Sequence, residues 1–266
     1  MINQFPCERK IKGINKIGLW TLIKREVLRF LNVYTQTIIA PMVTTLMFYT
    51  VFSLAFGGVN REINGISFLA FLAPGLIMMT MVQNAFANTS SSLVISKVQG
   101  NIVDVLMPPL SAMEIYTGYA VGAVVRGLTV GLCTTIALSI FAPIQIYSWS
   151  AILTFAFLGT LMLGNLGIAA GIWSDRFDHI AAVTNFVVTP MTFLSGTFYN
   201  IDVLPDIWQN IARFNPFFYM IDGFRYGFIG QADGSIIIGV ILLSLCNIGL
   251  ISLSYWMIKT GYKIKS

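Results

Sequence analysis

The amino-acid sequence predicts an all-α, polytopic integral membrane protein with six transmembrane helices. Hydrophobic residues make up 56% of its 266 residues and charged residues only 10%, whereas about a quarter of the residues of a soluble domain are charged. A chain with so few charges could not cover its surface in water, so lipid must be the solvent for most of it. The length fits one membrane domain, residues 1–266, with several spans.

Six apolar stretches are long enough to cross a bilayer, since a helix needs about 20 mainly apolar residues to do so. The six predicted spans have these approximate boundaries: residues 37–57, 66–87, 113–141, 150–173, 180–199 and 235–258.

The placement of lysine and arginine predicts the orientation of these spans. Twelve of the sixteen lysines and arginines precede the first span, follow the last, or lie in loops on the same side. Only Arg61, Arg213 and Arg225 fall on the other side, and Arg126 lies within the third span. Because positive residues accumulate in cytoplasmic loops, both termini are expected in the cytoplasm.

Residues 16–31, KIGLWTLIKREVLRFL, are predicted to form an amphipathic helix in the cytoplasmic interface, its basic side near anionic lipid. A soluble helix that leads into the first span is the alternative. The polar face contains Arg25, Glu26 and Arg29, and the apolar face contains Leu19, Trp20, Ile23, Val27, Phe30 and Leu31.

No catalytic, cofactor or metal motif is present in the sequence. It contains no G-x-x-x-x-G-K-[ST] phosphate loop, no H-E-x-x-H, no G-x-S-x-G and no C-x-x-C. The single histidine, His179, is interpreted as a solvated residue of a charged turn that includes Asp175 and Asp178. The sequence therefore predicts neither an enzyme nor a protein that binds nucleic acid or holds its own cofactor.

Arg126 lies in the third predicted span, where an arginine is costly and is usually kept for a partner, a wet cavity or a translocation path. Alternatively, the long span is offset and Arg126 extends towards the headgroups. Two G-x-x-x-G pairs flank it and predict close helix packing. The pairs are Gly118 with Gly122 and Gly127 with Gly131.

The loop between spans two and three is predicted to contain a half-apolar helix over residues 97–107 that ends at Pro108 and Pro109. This helix could be a docking surface for another protein or could simply pack as a lid. Its apolar positions continue the helical spacing of Val94 and Ile95. Seven of its residues are candidates for the docking surface: Lys97, Val98, Gln99, Asn101, Ile102, Asp104 and Leu106.

The stretch between spans five and six predicts two short helices, the first amphipathic and ended by Asn215-Pro216. Together they would form a re-entrant hairpin over residues 204–228 that enters the outer leaflet and returns, or else an ordinary external loop. Amphipathic rings are favoured at headgroup level. Five rings would lie there: Phe198, Tyr199, Trp208, Tyr219 and Tyr226.

The segment LSGTFYNIDVLPDIWQNIARFNPFFYMIDGFRYGF resembles the C-terminal motif of ABC-2 type transport permeases. The similarity extends to LAPGLI in the second span and LMPPLS after it. It is greatest for the subgroup of nodulation-factor exporters and inner-membrane permeases. Asn200 stands where many relatives have proline.

This resemblance implies a permease in the bacterial inner membrane that exports lipids, lipid-linked glycans, polysaccharides or amphiphilic drugs. A separate ATPase subunit would bind ATP and Mg, and a second permease copy would complete a dimer. The helix of residues 97–107 would couple to the ATPase. The substrate path would include Arg126, Phe198, Tyr199, Trp208, Tyr219 and Arg225. The alternatives are an ATP-independent carrier and a membrane-embedded lipid transferase, although no catalytic cluster or internal repeat is evident.

Overall fold

The computed structural model describes residues 13–56, 62–63, 65–142 and 144–264. Residue 57, the predicted end of the first span, and the charged residues Arg9, Lys10, Lys12, Arg61 and Lys265 lie outside these ranges.

Most of the described residues are helical and the strands are very short, which confirms the all-α class. Eleven α-helices occur in the described part of the chain: α1 Lys16–Leu31, α2 Ala40–Phe56, α3 Phe68–Val98, α4 Ile102–Leu106, α5 Ala112–Leu138, α6 Trp149–Trp173, α7 Phe177–Val183, α8 Thr189–Phe193, α9 Asp206–Phe214, α10 Pro216–Ile229 and α11 Ile236–Thr260. A short antiparallel pair, β1 Glu62–Ile63 and β2 Ile66–Ser67, precedes α3.

Within the described ranges, five helices are long and apolar enough to cross a membrane: Thr35–Ala55, Phe68–Val98, Ala112–Leu138, Trp149–Trp173 and Ile236–Thr260. The first of them begins with a π-helical turn at Thr35–Ile39. The prediction of a polytopic membrane protein is confirmed.

The predicted fifth span, residues 180–199, differs from the observed helix. A continuous helical segment covers residues 177–193 as α7, a π-helical turn at Thr184–Val188, and α8. A helix that crosses perpendicular to the membrane needs about 20 residues, and this segment is shorter. It ends at Phe193 because the chain turns before Gly196, whose φ is +72°. The count of six spans therefore stays a prediction.

The long helix α3 lies at the centre of the bundle and packs against α2, α5, α6 and α10. Its neighbours approach it closely at glycines. A Cβ at Gly167 of α6 would lie 2.6 Å from the carbonyl oxygen of Phe86, and one at Gly127 of α5 would lie 3.1 Å from that of Met81. The Thr89 hydroxyl donates to the Gly164 carbonyl oxygen across the same contact, at 2.9 Å.

Helix α1 packs on α5 and α3, with a buried face that differs from the predicted apolar one. Leu22, Glu26 and Phe30 are buried, whereas Trp20 is 66% exposed. Glu26 lies inside because the hydroxyl of Ser92 on α3 donates to its carboxylate at 2.8 Å. The exposed face is also apolar and carries Trp20 with Ile17, Leu28 and Leu31.

The predicted helix over residues 97–107 is divided in two. Helix α3 continues to Val98 because Val94 and its neighbours pack in the bundle, and the chain then turns at Gly100, whose φ is +75°. Helix α4 contains only the five residues Ile102–Leu106. The prediction of one continuous helix was therefore wrong.

The glycine contacts predict a position-specific response to added methyl groups. A Cβ at Gly122 of α5 would lie 2.7 Å from the Cβ of Glu26, so Gly122→Ala should push α1 away and destabilise the protein by about 1–3 kcal/mol. Unfolding of the purified protein by denaturant in detergent measures this change. Gly249→Ala on α11 is the matched control, since no atom lies within 4 Å of the added Cβ among the described residues. Equal effects at both positions would contradict the packing role of Gly122.

Candidate functional site

The structure places the six predicted path residues in separate environments. Arg225, on α10, is 2% exposed. Its Nη2 donates to the carbonyl oxygen of Gly196 at 2.7 Å, and its guanidinium carbon lies 3.6 Å from the ring centroid of Phe71 on α3. Arg225 therefore joins α10 to α3 and to the turn that follows α8.

A buried carboxylate secures the other side of α10. Asp222 accepts hydrogen bonds from the backbone nitrogens of Asp233 and Gly234, both at 2.9 Å. These bonds fix the connection between α10 and α11, which begins at Gly230 in the left-handed conformation. Both charged residues of α10 thus hold the packing of this helix in place.

The predicted aromatic residues do not form a single cluster. The ring of Phe198 stacks on that of Phe193 with centroids 5.2 Å apart, and the hydroxyl of Tyr199 donates to the Phe193 carbonyl oxygen at 3.2 Å. Tyr219 lies elsewhere, with its ring 4.9 Å from that of Phe218. Trp208 is half-exposed on α9.

The two helices predicted between spans five and six are present as α9 and α10, joined at Asn215. They have different environments. Helix α10 is largely buried against α3, α6 and α11, whereas α9 turns its apolar residues outward, and Phe214 is 86% exposed. An outward apolar face suits lipid, and re-entry into the leaflet stays a prediction.

Arg126 lies inside the bundle near the middle of α5 and is 8% exposed. Its Nη2 donates to Oδ1 of Asn84 on α3 at 3.0 Å. This inward position favours an arginine kept for a partner or a path over one that extends to the headgroups. Of the flanking glycines, Gly118 and Gly122 contact α1, whereas Gly127 and Gly131 contact α3 and α6.

A polar network between α1 and α3 was not predicted from the sequence. Arg29 Nη2 donates to the backbone and side-chain oxygens of Asn88 at 2.7 and 2.9 Å, and lies 3.4 Å from Glu26 Oε2. At the other end of α1, the Glu114 carboxylate accepts from the backbone nitrogens of Ser111 and Asn15. Of these residues, Glu114 alone belongs to a sequence motif, the capping box that it forms with Ser111 at the start of α5.

Two lysines hold together the ends of α3, α6 and α11, which we call the basic end of the bundle. Lys97 Nζ donates to the carbonyl oxygens of Ile172 and Ser174 at 2.9 and 2.7 Å, and to Asp175 Oδ1 at 3.1 Å. Lys263 Nζ lies 3.1 Å from the other oxygen of Asp175. Hydrogen bonds from Lys97 and Lys263 lower the pKa of the Asp175 carboxyl.

The predicted docking residues are divided between outer and inner faces of this end. Lys97 is occupied by its bonds to the end of α6, with a side chain only 9% exposed. Ile102 and Leu106 pack inward around the buried Val105. The outward residues of the turn and α4 are Val98, Gln99, Asn101, Val103, Asp104 and Met107. The outward position of Val103 and Met107 was not predicted, because a helix of five residues gives too little periodicity to identify its faces.

These features define a helical membrane protein with a central buried helix and an exposed, partly apolar surface at its basic end. The chain belongs to the ABC-2 type transporter family, since the family model with that description matches residues 18–229. It is 35% identical over 252 residues to the inner membrane transport permease YadH of Escherichia coli strain K12, covering 94% of this chain and 98% of YadH. It is 25% identical over 249 residues to nodulation protein J of Rhizobium leguminosarum bv. viciae, covering 88% and 89% of the two chains. The predicted family and subgroup are confirmed.

Removal of the Arg225 charge should destabilise the protein, because its carbonyl acceptor and the face of Phe71 would lose a buried cation. We expect Arg225→Gln to lower the free energy of unfolding by about 2–4 kcal/mol. Denaturant unfolding in detergent measures it. Arg213→Gln removes the same charge from the exposed side of α9 and should change little; similar losses for both variants would exclude the packing role of Arg225.

The basic end should respond to pH through Asp175. Because the folded state lowers the pKa of this carboxyl, its bridge stabilises the fold at neutral pH and is lost as the pH falls through the lowered pKa. Asp175→Asn should therefore lower the unfolding temperature at neutral pH, with a difference from wild type that shrinks in acid. Asp178→Asn, three residues along the chain, serves as the control. A difference that does not vary with pH would rule out the ionised bridge.

Proposed function

We propose that this chain is the membrane-spanning permease subunit of an ATP-binding cassette exporter in a bacterial inner membrane. Membership of the ABC-2 type transporter family supports a transport role, and the name of the related YadH supports the inner membrane. The observation that carries the proposal is the exposed surface of the turn and α4 at the basic end.

ATP and Mg would bind to a separate ATPase subunit, since this sequence contains no phosphate loop. The ATPase would dock on the outward residues of the coupling surface, which we define as Val98, Gln99, Asn101, Val103, Asp104 and Met107. Val98, Val103 and Met107 are apolar and about half exposed or more. A partner that covers them gains the free energy of burying apolar surface.

The position of α4 between two long helices suits a coupling role. It follows α3 by a three-residue turn and precedes α5, whose first turn is capped by Ser111 and Glu114. Pressure from the ATPase on α4 would act on both helices directly. The bond from Asn15 to Glu114 would bring α1 into the same movement.

The surplus of lysine and arginine around α1, Lys97 and the C-terminal tail supports a cytoplasmic location for the basic end and for both termini. The opposite end, with α9 and α10, would then face outward and shape the exit for the substrate. If both termini are inside, the number of crossings must be even. The segment of residues 177–193 would therefore be the sixth crossing element, in addition to the five long helices.

A second permease copy would complete the pathway, with the substrate moving between the two copies. Arg126 and Arg225 would contribute positive charge at two depths of the membrane. Phe198, Tyr199, Trp208 and Tyr219 would guide the apolar or sugar part of an amphiphile outward. The substrate would be a lipid, a lipid-linked glycan, a polysaccharide or an amphiphilic drug.

Copurification from native membranes in mild detergent, followed by mass spectrometry, tests the proposal. An ATP-binding subunit should accompany the tagged permease in near-equal amount. If no such subunit is recovered and no stimulated ATP hydrolysis can be reconstituted, an ATP-independent carrier or a membrane-embedded transferase becomes the better interpretation.

The orientation of side chains on α4 predicts which substitutions release the ATPase. A charge at Val103 or Met107 faces outward, so Val103→Glu and Met107→Glu should weaken ATPase binding about tenfold or more and leave the fold intact. Copurified ATPase per permease and the unfolding temperature are measured together. Val105→Glu places a charge on a buried position and should lower the unfolding temperature itself. If the outward variants keep full ATPase binding, the coupling surface lies elsewhere.

A further inference from the structure

A cleft of about 320 Å³ separates α3 from the helical segment of residues 177–193. Polar side chains in membrane-spanning helices are expensive and are usually kept for function, yet several line this cleft. Amides and hydroxyls contribute from both walls: Gln83, Asn84, Ser90, Ser91, Thr184 and Thr189. None of the residues of the predicted substrate path lines it.

Two arginines lie behind the α3 wall of the cleft and reach it through its polar residues. Arg126 donates to the Asn84 side chain at 3.0 Å. Arg29 Nη1 lies 3.4 Å from the Ser91 hydroxyl. Asn84 and Ser91 are two helical turns apart, so the wall is backed by positive charge at both ends.

The charges behind this wall are not balanced. Glu26 lies 3.4 Å from Arg29 and compensates it, whereas in the described part of the chain no carboxylate lies within 4 Å of Arg126. The wall therefore carries about one net positive charge in a region of low dielectric, where an anion is attracted strongly.

Hydrogen-bond donors are also in excess around the same residues. Arg29 Nε, Arg126 Nε and Asn88 Nδ2 are buried, and none has an acceptor within hydrogen-bonding distance among the described residues. Asn88 is fully buried and Arg126 is more than nine-tenths buried. Donors buried without an acceptor cost about 1–3 kcal/mol each. These donors lie behind the wall and do not line the cleft. An oxyanion in the cleft would supply the negative charge that balances Arg126.

The opposite wall of the cleft is loosely packed and apolar on its outside. In residues 177–193, only Val188 and Thr192 are buried, and Phe186 is 81% exposed. The π-helical turn begins at Thr184, which lines the cleft, and such turns often occur at functional sites. A hydrocarbon chain could lie along this exposed surface while a polar group occupies the cleft.

We propose that the cleft binds the anionic headgroup of an amphiphile from the leaflet at the basic end. A phosphate or carboxylate group would take donors from the wall backed by Arg29 and Arg126, and the apolar chain would lie along residues 177–193. This proposal rests on the proposed function and gives its substrate class as a lipid or lipid-linked compound with a negatively charged headgroup. The neighbouring hydroxyls and amides suit the hydroxyl groups of a glycerol or sugar headgroup.

Lipid retention by the purified full-length protein tests this site. The protein, in detergent with equal amounts of phosphatidylglycerol and phosphatidylcholine of matched chains, is examined by native mass spectrometry. Wild type should retain phosphatidylglycerol selectively. Arg126→Gln and Arg29→Gln should each lower that retention about tenfold, because each removes a positive charge close to the headgroup in a region of low dielectric, whereas Arg126→Lys should recover part of it. Arg25→Gln, which removes the same charge from the exposed side of α1, is the matched control and should retain the lipid as wild type does.

A second variant keeps the test independent of the folding of the arginine variants. Ala87→Phe fills the cleft from α3 without changing any charge and should lower phosphatidylglycerol retention while the unfolding temperature is preserved. Retention equal to wild type in Ala87→Phe, or an equal loss in Arg25→Gln, would overturn the site.

Inorganic phosphate separates a lipid headgroup from a free oxyanion. It is added to wild type and to Arg126→Gln with phosphatidylcholine as the only lipid, and the unfolding temperature is measured. An arginine-dependent rise without selective phosphatidylglycerol retention would overturn the lipid assignment in favour of a soluble oxyanion. ATPase copurification is measured on the same preparations. If lipid retention fails and the ATPase is still bound, only the site is rejected; if the ATPase is absent from wild type, the exporter assignment itself fails.

Discussion

The fold depends on how closely α5 and α6 approach α3. Between helices in a membrane there is no hydrophobic driving force, since lipid tails are as apolar as the side chains, so association relies on van der Waals contact and hydrogen bonds. Gly127 and Gly167 remove the side chains that would separate the backbones. The same proximity allows Thr89 to donate to the carbonyl oxygen of Gly164. A central helix held by backbone contact is rigid, and the other elements are positioned by it.

Helix α3 reaches each of the regions to which a function is proposed. With 31 residues and a rise of about 1.5 Å per residue, it extends about 46 Å. Phe71, near its start, packs on Arg225 of α10. Asn84, in the middle, holds Arg126. Lys97, at its end, is bound to the last turn of α6 and lies just before the coupling surface. A force applied at the basic end would therefore act on one continuous helix that reaches the opposite end and contains Pro74 near its start.

The sequence predicted the long helices well and the faces of the short ones poorly, for a physical reason. In lipid every backbone polar group must be satisfied within the segment, so a long apolar run can only be a helix. In a short helix between protein and lipid both environments are apolar, and periodicity cannot tell which side is which. For this reason the sequence did not predict that Glu26 of α1 lies inside the bundle while Trp20 lies outside. The faces of α4 were not predicted because a helix of five residues gives too little periodicity. The bonds of Lys97 to the end of α6 and to Asp175 could not be predicted, because they join residues more than seventy positions apart.

The contrast between the two walls of the cleft indicates which one can move. The α3 wall is fixed by glycine contacts on its far side and by the bonds of Arg29 to Ser91 and of Arg126 to Asn84. The segment of residues 177–193 has few buried residues and a π-helical turn at Thr184–Val188. Few buried contacts mean a low free energy of local displacement. A displacement of this segment would change the width of the cleft and its access from lipid, but not the arrangement of donors on α3. The protein can thus vary the entry to a charged site without the cost of rebuilding it.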